Sequence, residues 1–278
     1  MIVDIHVHLG SVRSFHPGII GWVHVELEDL LGYMDKVGVD WVVALSLPEN
    51  SDPYSRIISN EKLLNYVSDT TRIVPFCAID PRGFKAGEKL EKLVKKGCKG
   101  LGEFKVMLPV KHEKIVSLLK VVDNLGLPVL FHMEDKKYFY DIQDLPYILE
   151  KFPDVIFVAH GPGWWKHISS QAPDEIYPKG PIVEEGKVQE IMRNYPNIYA
   201  DISAYSGLNA LKRDVNYAKK FLIEFQDRIL YGSDFPCLSP SGTQFGLNRE
   251  HIDFLTKLKL NEEVIEKILW KNASKILK

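Results

Sequence analysis

The chain has 278 residues, 45% hydrophobic and 26% charged, so it can bury one sizeable core and is neither disordered nor fibrous. Its formal net charge of −2 gives no footprint for nucleic acid or an anionic membrane surface. No apolar run reaches the roughly 18 residues that a membrane-spanning helix needs.

Eight short apolar runs, rich in β-branched residues, recur along the chain. Runs of this kind are typical of strands that are buried on both faces. In chain order they are Ile2–Val7, Asp40–Ser46, Arg72–Ile79, Cys98–Phe104, Pro128–His132, Val155–His160, Asn197–Ile202 and Arg228–Gly232.

Amphipathic stretches lie between these runs, with apolar residues three and four apart, and predict helices. They are Glu26–Val37, Lys85–Lys96, His112–Leu125, Glu184–Tyr195 and Leu208–Glu224, and Asn261 caps a last helix that ends at Ile276. Eight strand–helix units predict an α/β fold, a (β/α)₈ TIM barrel that forms a single domain over residues 1–278. A doubly wound open sheet shares this alternation and is the alternative.

Polar residues stand at the carboxyl ends of several predicted strands. In the first strand Asp4, His6 and His8 alternate, so we expect all three side chains on one face, with Asp4 orienting a ligand imidazole. The others are Glu103, His132, His160 and Asp234. Because these ends converge at the mouth of a barrel, four imidazoles and two carboxylates predict a site for zinc or a similar divalent ion. An ion pair with Lys105 is the alternative for Glu103.

Two long connections follow carboxyl ends of strands, at about residues 9–25 and 161–183, and are expected to contact substrate. Arg13 and Lys105 are candidates for binding a substrate carboxylate, although Arg13 can equally be a solvated surface residue. Trp164 either walls the pocket or packs its loop. His16 lies in the first of these loops. Asp201 follows the seventh strand, where it either reaches the mouth or caps a local turn, and it is not included among the ligands.

Several motifs resemble those of the amidohydrolase superfamily, and more closely its amidohydrolase-2 branch of metal-dependent TIM-barrel hydrolases. These motifs are Asp4-Ile5-His6-Val7-His8, Phe131-His132, Ala159-His160-Gly161 and Tyr231-Gly232-Ser233-Asp234-Phe235-Pro236, with a closing segment from Ile268 to Leu277. They follow the order of that branch and cover essentially the whole chain.

The resemblance implies specific roles for the candidate ligands. His6 and His8 would hold the more buried metal with Asp234 beside it, and His132 would be a further ligand. His160 would either bind a second metal or position the attacking water. Glu103 lies on the strand where two-metal members place a bridging carboxylate or carbamylated lysine, whereas one-metal members do not use that position. One or two ions per chain therefore remain open.

The expected activity is hydrolysis of a C–N or C–O bond in a small carbonyl compound, with a divalent metal, zinc foremost, as cofactor. Asp234 would take a proton from water and pass it to the leaving group, and His160 is the second catalytic candidate. The alternatives are a metal-dependent non-oxidative decarboxylase of the same branch, a metal-independent lactonase and a non-catalytic metal-binding protein. The expected partner is a small-molecule substrate, without nucleic acid or membrane, and a homodimer is left open.

The cysteines and the first residues bear on the compartment. Cys77, Cys98 and Cys237 are far apart and form no Cys-x-x-Cys pair, which argues against a disulfide framework and a thiolate zinc finger. The first residues lack the basic-then-apolar layout of a signal peptide. A cytoplasmic location with reduced thiols is therefore expected.

Overall fold

The computed structural model describes residues 1–13, 21–49, 51–68 and 70–277, so His16 lies outside the described residues. The strands are β1 (Val3–Val7), β2 (Gly10–Arg13), β3 (Trp22–Val25), β4 (Trp41–Leu45), β5 (Ser55–Ile57), β6 (Ile73–Cys77), β7 (Gly100–Phe104), β8 (Val129–His132), β9 (Phe157–His160), β10 (Ile198–Asp201) and β11 (Ile229–Leu230). The helices are α1 (Leu27–Val37), α2 (Asn60–Tyr66), α3 (Ala86–Lys95), α4 (Glu113–Asn124), α5 (Leu145–Lys151), α6 (Pro162–Trp165), α7 (Lys187–Asn194), α8 (Ala204–Lys212), α9 (Val215–Glu224), α10 (Glu250–Lys257), α11 (Glu262–Glu266) and α12 (Asn272–Ile276).

Eight strands form one parallel sheet in the order β1, β4, β6, β7, β8, β9, β10 and β11. This order confirms the eight predicted strands and the TIM-barrel fold. Backbone hydrogen bonds join β1 to the segment after β11: the His8 N–H donates to the Phe235 carbonyl over 2.7 Å, and the Asp234 N–H donates to the His6 carbonyl over 2.8 Å. The barrel therefore closes beside residues that the sequence assigns to the site.

Two layers of apolar side chains stabilise the barrel. The inner layer consists of Val3, Ile5, Val43, Leu45, Phe76, Leu130, Val158 and Leu230, together with Ala273 of α12. The outer layer fills the space between the strands and the surrounding helices. Because α12 contributes to the inner layer, one end of the barrel is covered, and the cavity opens at the other end.

The expectation that Asp4 shares a face with His6 and His8 is wrong. The pairing of β1 with β4 shifts register between Asp4 and Val7, so alternation does not hold across this strand. The Asp4 carboxylate accepts hydrogen bonds from the Tyr33 hydroxyl over 2.6 Å and from the Ser233 hydroxyl over 2.6 Å. Asp4 therefore anchors α1 and the segment before Asp234, and it does not contact the imidazole of His6.

A second sheet was not predicted. β2 pairs antiparallel with β3 and with β5, and these three short strands lie in the connections that follow β1 and β4. These strands mix polar and apolar residues and contain no long apolar run that would predict a strand. Their pairing depends on contacts between segments that are distant in sequence. This sheet carries Arg13 at the end of β2.

The predicted helix over Leu208–Glu224 is two helices, α8 and α9. The break occurs because the Asp214 carboxylate accepts a hydrogen bond from the Tyr217 N–H over 3.0 Å and caps a new helix. Among the described residues, no helix is both long enough and apolar enough to cross a membrane.

Two helical glycines give a matched test of packing. A Cβ on Gly207 in α8 would lie 2.3 Å from the Ile202 carbonyl oxygen, whereas a Cβ on Gly32 in α1 would meet nothing within 4 Å. We expect Gly207→Ala to lower the free energy of unfolding by about 1–3 kcal/mol, because backbone must move. Gly32→Ala should raise it by about 0.5–1 kcal/mol, because alanine restricts the unfolded chain. Urea denaturation measures both, and equal effects would contradict the tight contact of α8 with the end of β10.

Candidate functional site

A cavity of about 410 Å³ opens at the carboxyl ends of the barrel strands. Five of the six candidate ligands line it, namely His8, Glu103, His132, His160 and Asp234. The sixth, His6, is fully buried and lies directly behind His8. The structure thus brings together all six side chains that the sequence placed in the metal set.

Four of these side chains converge around one point. The His6 and His8 Nε2 atoms are 3.2 Å apart. The Asp234 Oδ1 atom lies 3.6 Å from His6 Nε2 and 3.5 Å from His8 Nε2. The Glu103 Oε2 atom lies 3.9 Å and 3.4 Å from the same two nitrogens. Each of the two carboxylate oxygens therefore lies 3.4–3.9 Å from both nitrogens.

Hydrogen bonds on the far side of each ring determine which nitrogen carries the proton. The His8 Nδ1 atom lies 2.9 Å from the Leu45 carbonyl oxygen, and the His6 Nδ1 atom lies 2.7 Å from Asp201 Oδ2. Both partners are acceptors, so each Nδ1 carries the proton and donates it. The Nε2 atom of each neutral ring therefore presents a lone pair to the other ring and to the two carboxylates.

This donor set fits a divalent metal ion. Zinc–ligand bonds of about 2.0–2.1 Å place tetrahedral ligand atoms about 3.3–3.4 Å apart, close to the separations at His6 and His8. Burial alone lowers the pKa of His6, but the charges of Asp201, Asp234 and Glu103 outweigh burial and raise this pKa to about 9. The buried carboxylates therefore favour a positive charge at this point, and a cation bound to the four side chains would supply it.

Glu103 also faces a second group of ligands. Its Oε1 atom lies 2.8 Å from His132 Nδ1, while Oε2 faces the first group. Burial would raise the pKa of Glu103, but hydrogen bonds with His132 and His8 hold it well below its usual value. The His132 Nε2 atom is buried with no hydrogen-bond partner among the described residues. Glu103, His132 and His160 offer ligand atoms within 4.8 Å of one another, so the geometry suits a bridging carboxylate.

Of the three residues expected to contact substrate, two line the cavity and one does not. Arg13 and Lys105 both line the cavity, and the Lys105 ammonium pairs with Asp52 over 2.5 Å. Trp164 is fully buried in the outer apolar layer and is absent from the described cavity wall. Of the two alternatives for Trp164, the structure therefore supports packing of its loop.

The Gly161-Pro162-Gly163 segment begins the four-residue helix α6. Gly161 has a φ of 99°, and a Cβ at this residue would lie 2.5 Å from the Met133 carbonyl oxygen. A Cβ on Gly163 would lie 2.8 Å from the Glu134 Cα atom. These glycines let the segment pack directly on the backbone that follows His132.

Sequence reasoning missed Asp201 as the partner of His6. Asp201 ends the apolar run of β10, as His132 and His160 end theirs, and this was the available signal. Its Oδ1 atom also accepts a hydrogen bond from the Ser203 N–H over 2.8 Å, so the local turn and the site contact coexist. The cavity wall further includes Glu134 and the aromatic residues Tyr54, Tyr177, Tyr205 and Phe245, for which no motif gave a signal.

Comparison with known families gives one match. The amidohydrolase family model (Amidohydro_2) matches residues 60–278, which include Glu103, His132, His160 and Asp234. His6 and His8 precede the matched region. Among curated proteins, none is significantly similar to this chain.

Several solved structures share the fold. Probable 2-pyrone-4,6-dicarboxylic acid hydrolase from Acinetobacter baumannii, with citric acid bound, is 15% identical with a TM-score of 0.68, covering 99% of this chain and 98% of that one. An amidohydrolase from Burkholderia multivorans with bound zinc is 13% identical with a TM-score of 0.65, covering 100% and 99%. A 2,6-dihydroxybenzoate decarboxylase in complex with 2,6-dihydroxybenzoate is 15% identical with a TM-score of 0.56, covering 100% and 99%. At these identities the similarity establishes the fold.

Proposed function

Because this chain belongs to the amidohydrolase family of enzymes, we propose that it is a metal-dependent hydrolase that cleaves a C–N or C–O bond of a small carbonyl-containing substrate. One observation carries the proposal: the Nε2 lone pairs of His6 and His8 face the carboxylates of Glu103 and Asp234 in a cavity at the mouth of the barrel. Catalytic metal sites combine such a donor set with access for substrate.

Zinc is the proposed ion, because imidazole nitrogens and carboxylate oxygens are the ligands that suit it. His6, His8 and Asp234 would hold one ion. Glu103 would bridge to a second ion on His132 and His160. When bound, a divalent ion supplies a Lewis acid that polarises a carbonyl group and acidifies water.

Asp234 is the proposed proton acceptor for the attacking water and the proton donor to the leaving group. It lines the cavity, and its side chain is 13% exposed. Its backbone is fixed, because its N–H donates to His6 and the preceding Ser233 is bonded to Asp4. A carboxylate in a fixed position can act on water and on the leaving group without reorganising.

His160 and two cations complete the proposed machinery. His160 lines the cavity beside Asp234 and Glu103 and would hold the second ion or orient the attacking water. Arg13 and Lys105 would bind a carboxylate of the substrate, since charge-assisted hydrogen bonds fix orientation well. The cavity volume of about 410 Å³ suits a small molecule.

Non-oxidative decarboxylation is the second candidate reaction. Its support is that a 2,6-dihydroxybenzoate decarboxylase shares the fold, with a TM-score of 0.56, and that Arg13 and Lys105 would place a carboxylate inside the cavity. The two reactions differ in their products. Hydrolysis incorporates oxygen from ¹⁸O-labelled water into a product, whereas decarboxylation releases carbon dioxide.

Metal content is the first prediction. Protein purified without added metal or chelator should carry about two equivalents of zinc by elemental analysis, as two-metal sites do. His132→Ala should keep about one equivalent, because it removes a ligand of the second ion only. The exposed His24 gives the matched control, and His24→Ala should keep both ions.

Other metal contents of the wild-type protein would change the proposal. About one equivalent in the wild type would remove Glu103 and His160 from the ligand set and favour the decarboxylase. An intact fold that binds neither zinc nor manganese would contradict the metal-dependent proposal and leave a metal-independent lactonase or a protein without catalytic activity.

Asp234→Asn should lower kcat by about 10²–10⁴-fold, because the amide cannot accept a proton from water. The ion content should change little, since the amide keeps an oxygen at this position. Hydrolysis of small esters, lactones and amides provides the assay. Asp227→Asn, at an exposed carboxylate, is the control and should leave kcat unchanged. Normal turnover in Asp234→Asn would refute the assigned role.

Arg13→Gln should raise KM by about 10-fold or more for a substrate that carries a carboxylate, because a charge-assisted hydrogen bond is lost. The methyl ester of the same substrate should show no comparable rise. Steady-state kinetics on the two compounds measures the difference, and equal changes in KM would show that Arg13 does not recognise the carboxylate.

A further inference from the structure

We propose that Ser203 and Asp201 form one hydrogen-bonded unit that fixes the imidazole tautomer of His160 as well as that of His6, so that Ser203 is a positioning residue of the site. This inference deepens the proposed function and assumes its ligand roles. Its test reads the protonation of ring nitrogens directly and does not use activity.

The unit is rigid and fully buried. Asp201 and Ser203 are both 0% exposed at the end of β10. The Ser203 N–H donates to Asp201 Oδ1 over 2.8 Å, and the Ser203 hydroxyl donates to Asp201 Oδ2 over 2.6 Å. Two bonds between the same residues fix the carboxylate and the hydroxyl relative to each other.

The Ser203 hydroxyl has a single proton, which it donates in its hydrogen bond to the Asp201 carboxylate. His160 Nδ1 lies 2.9 Å from Ser203 Oγ. If the hydroxyl donated to His160 instead, its oxygen would face Asp201 Oδ2 at 2.6 Å with no proton between them, which is repulsive. His160 Nδ1 must therefore be the donor to Ser203, and its Nε2 atom keeps the lone pair.

One carboxylate thus serves two imidazoles. His6 Nδ1 donates to Asp201 Oδ2 over 2.7 Å, and His160 Nδ1 lies 2.9 Å from Ser203 Oγ and 3.3 Å from the same Asp201 oxygen. The two rings lie 4.4 Å apart between their centroids. Both rings are held with Nδ1 toward the unit, as ligand histidines are held by carboxylates behind them.

The same atoms could in principle hold an ion, since His6, His160 and Asp201 offer ligand atoms within 4.8 Å of one another. Ser203 Oγ lies 2.6 Å from Asp201 Oδ2, 2.9 Å from His160 Nδ1 and 3.2 Å from His6 Nδ1. The hydroxyl therefore fills the space that an ion would need. This group is an anchor behind the site and is distinct from the two ligand groups in front of it.

The test is a long-range ¹H–¹⁵N correlation spectrum of metal-free protein labelled with ¹⁵N in the histidine rings. The spectrum is recorded at mildly alkaline pH, where an ordinary imidazole is neutral. Wild-type His160 should be protonated at Nδ1. His251 should be protonated at Nε2, which donates to the Ala204 carbonyl over 2.9 Å, and it gives the opposite reference signal in the same spectrum.

Ser203→Ala should weaken the Nδ1 preference of His160 and move its signals toward those of the Nε2–H tautomer, because the remaining acceptor, Asp201 Oδ2, lies 3.3 Å from Nδ1. Ser46→Ala is the matched control, because Ser46 is equally buried and its hydroxyl has no hydrogen-bond partner among the described residues. His160 signals should not change in that variant. A wild-type His160 protonated at Nε2, or one that Ser203→Ala leaves unchanged, would overturn the proposal.

Asp201→Asn is a second, independent variant, in which we expect the donor and acceptor roles between residue 201, Ser203 and His160 to be reversed. The Ser203 N–H must still face an oxygen, so the amide nitrogen takes the place of Oδ2 and donates to Ser203 Oγ. The serine proton then turns to His160 Nδ1, and His160 should be protonated at Nε2. Retention of the Nδ1–H form in this variant would also contradict the proposal.

Zinc competition with a chelator separates the inference from the proposed function. Asp201→Asn should weaken the tighter ion about 10–100-fold, because His6 loses its acceptor, whereas Ser203→Ala should leave that ion within about threefold of wild type. Equal loss in both variants would show that the two residues act together on His6. If the wild type binds no zinc, the proposed function fails, and the tautomer spectra still decide the role of Ser203.

Discussion

Buried lone pairs that face one another at the mouth of the barrel are the constraint on which the rest of the site depends. The nitrogens of His6 and His8 and the oxygens of Glu103 and Asp234 lie 3.2–3.9 Å apart with the ring protons on the far sides. Such groups repel unless a positive charge lies between them. Without an ion, a proton on His6 supplies that charge, because the surrounding carboxylates raise the pKa of His6 to about 9, and a bound cation would take the place of this proton.

The closure of the barrel supplies the rigidity that this arrangement needs. His6 lies on β1, His8 directly follows this strand, and Asp234 follows β11. These candidate ligands are therefore far apart in sequence and meet where the first and last strands join. The carboxylate of Asp4 adds a second connection, because it binds Ser233 through both the hydroxyl and the N–H. The geometry of the candidate ligands is thus a consequence of barrel closure, and a substitution that loosens the closure should weaken the proposed metal site as well as the fold.

The sequence predicted the barrel because buried parallel strands produce continuous apolar runs. It predicted which polar side chains would meet at the mouth because these residues end those runs. One carboxylate was assigned wrongly: Asp4 was expected to orient a ligand imidazole, whereas the carboxylate beside the imidazole of His6 is that of Asp201. Counting by two along β1 fails at a register shift that depends on the neighbouring strand. The contact of Asp201 with His6 joins residues 195 positions apart, so no local pattern could reveal it.

The charges of the cavity wall divide it into two regions. Asp52 pairs with Lys105 over 2.5 Å, and Glu134 pairs with Lys137 over 3.1 Å, so these carboxylates are balanced by ammonium groups. Glu103 and Asp234 face imidazoles instead. Positive charge is therefore favoured at the strand ends, while Arg13 and Lys105, which line another part of the wall, are the proposed contacts for the anionic end of a substrate. A substrate bound across both regions would place its carbonyl group beside Asp234, where the proposed proton transfer takes place.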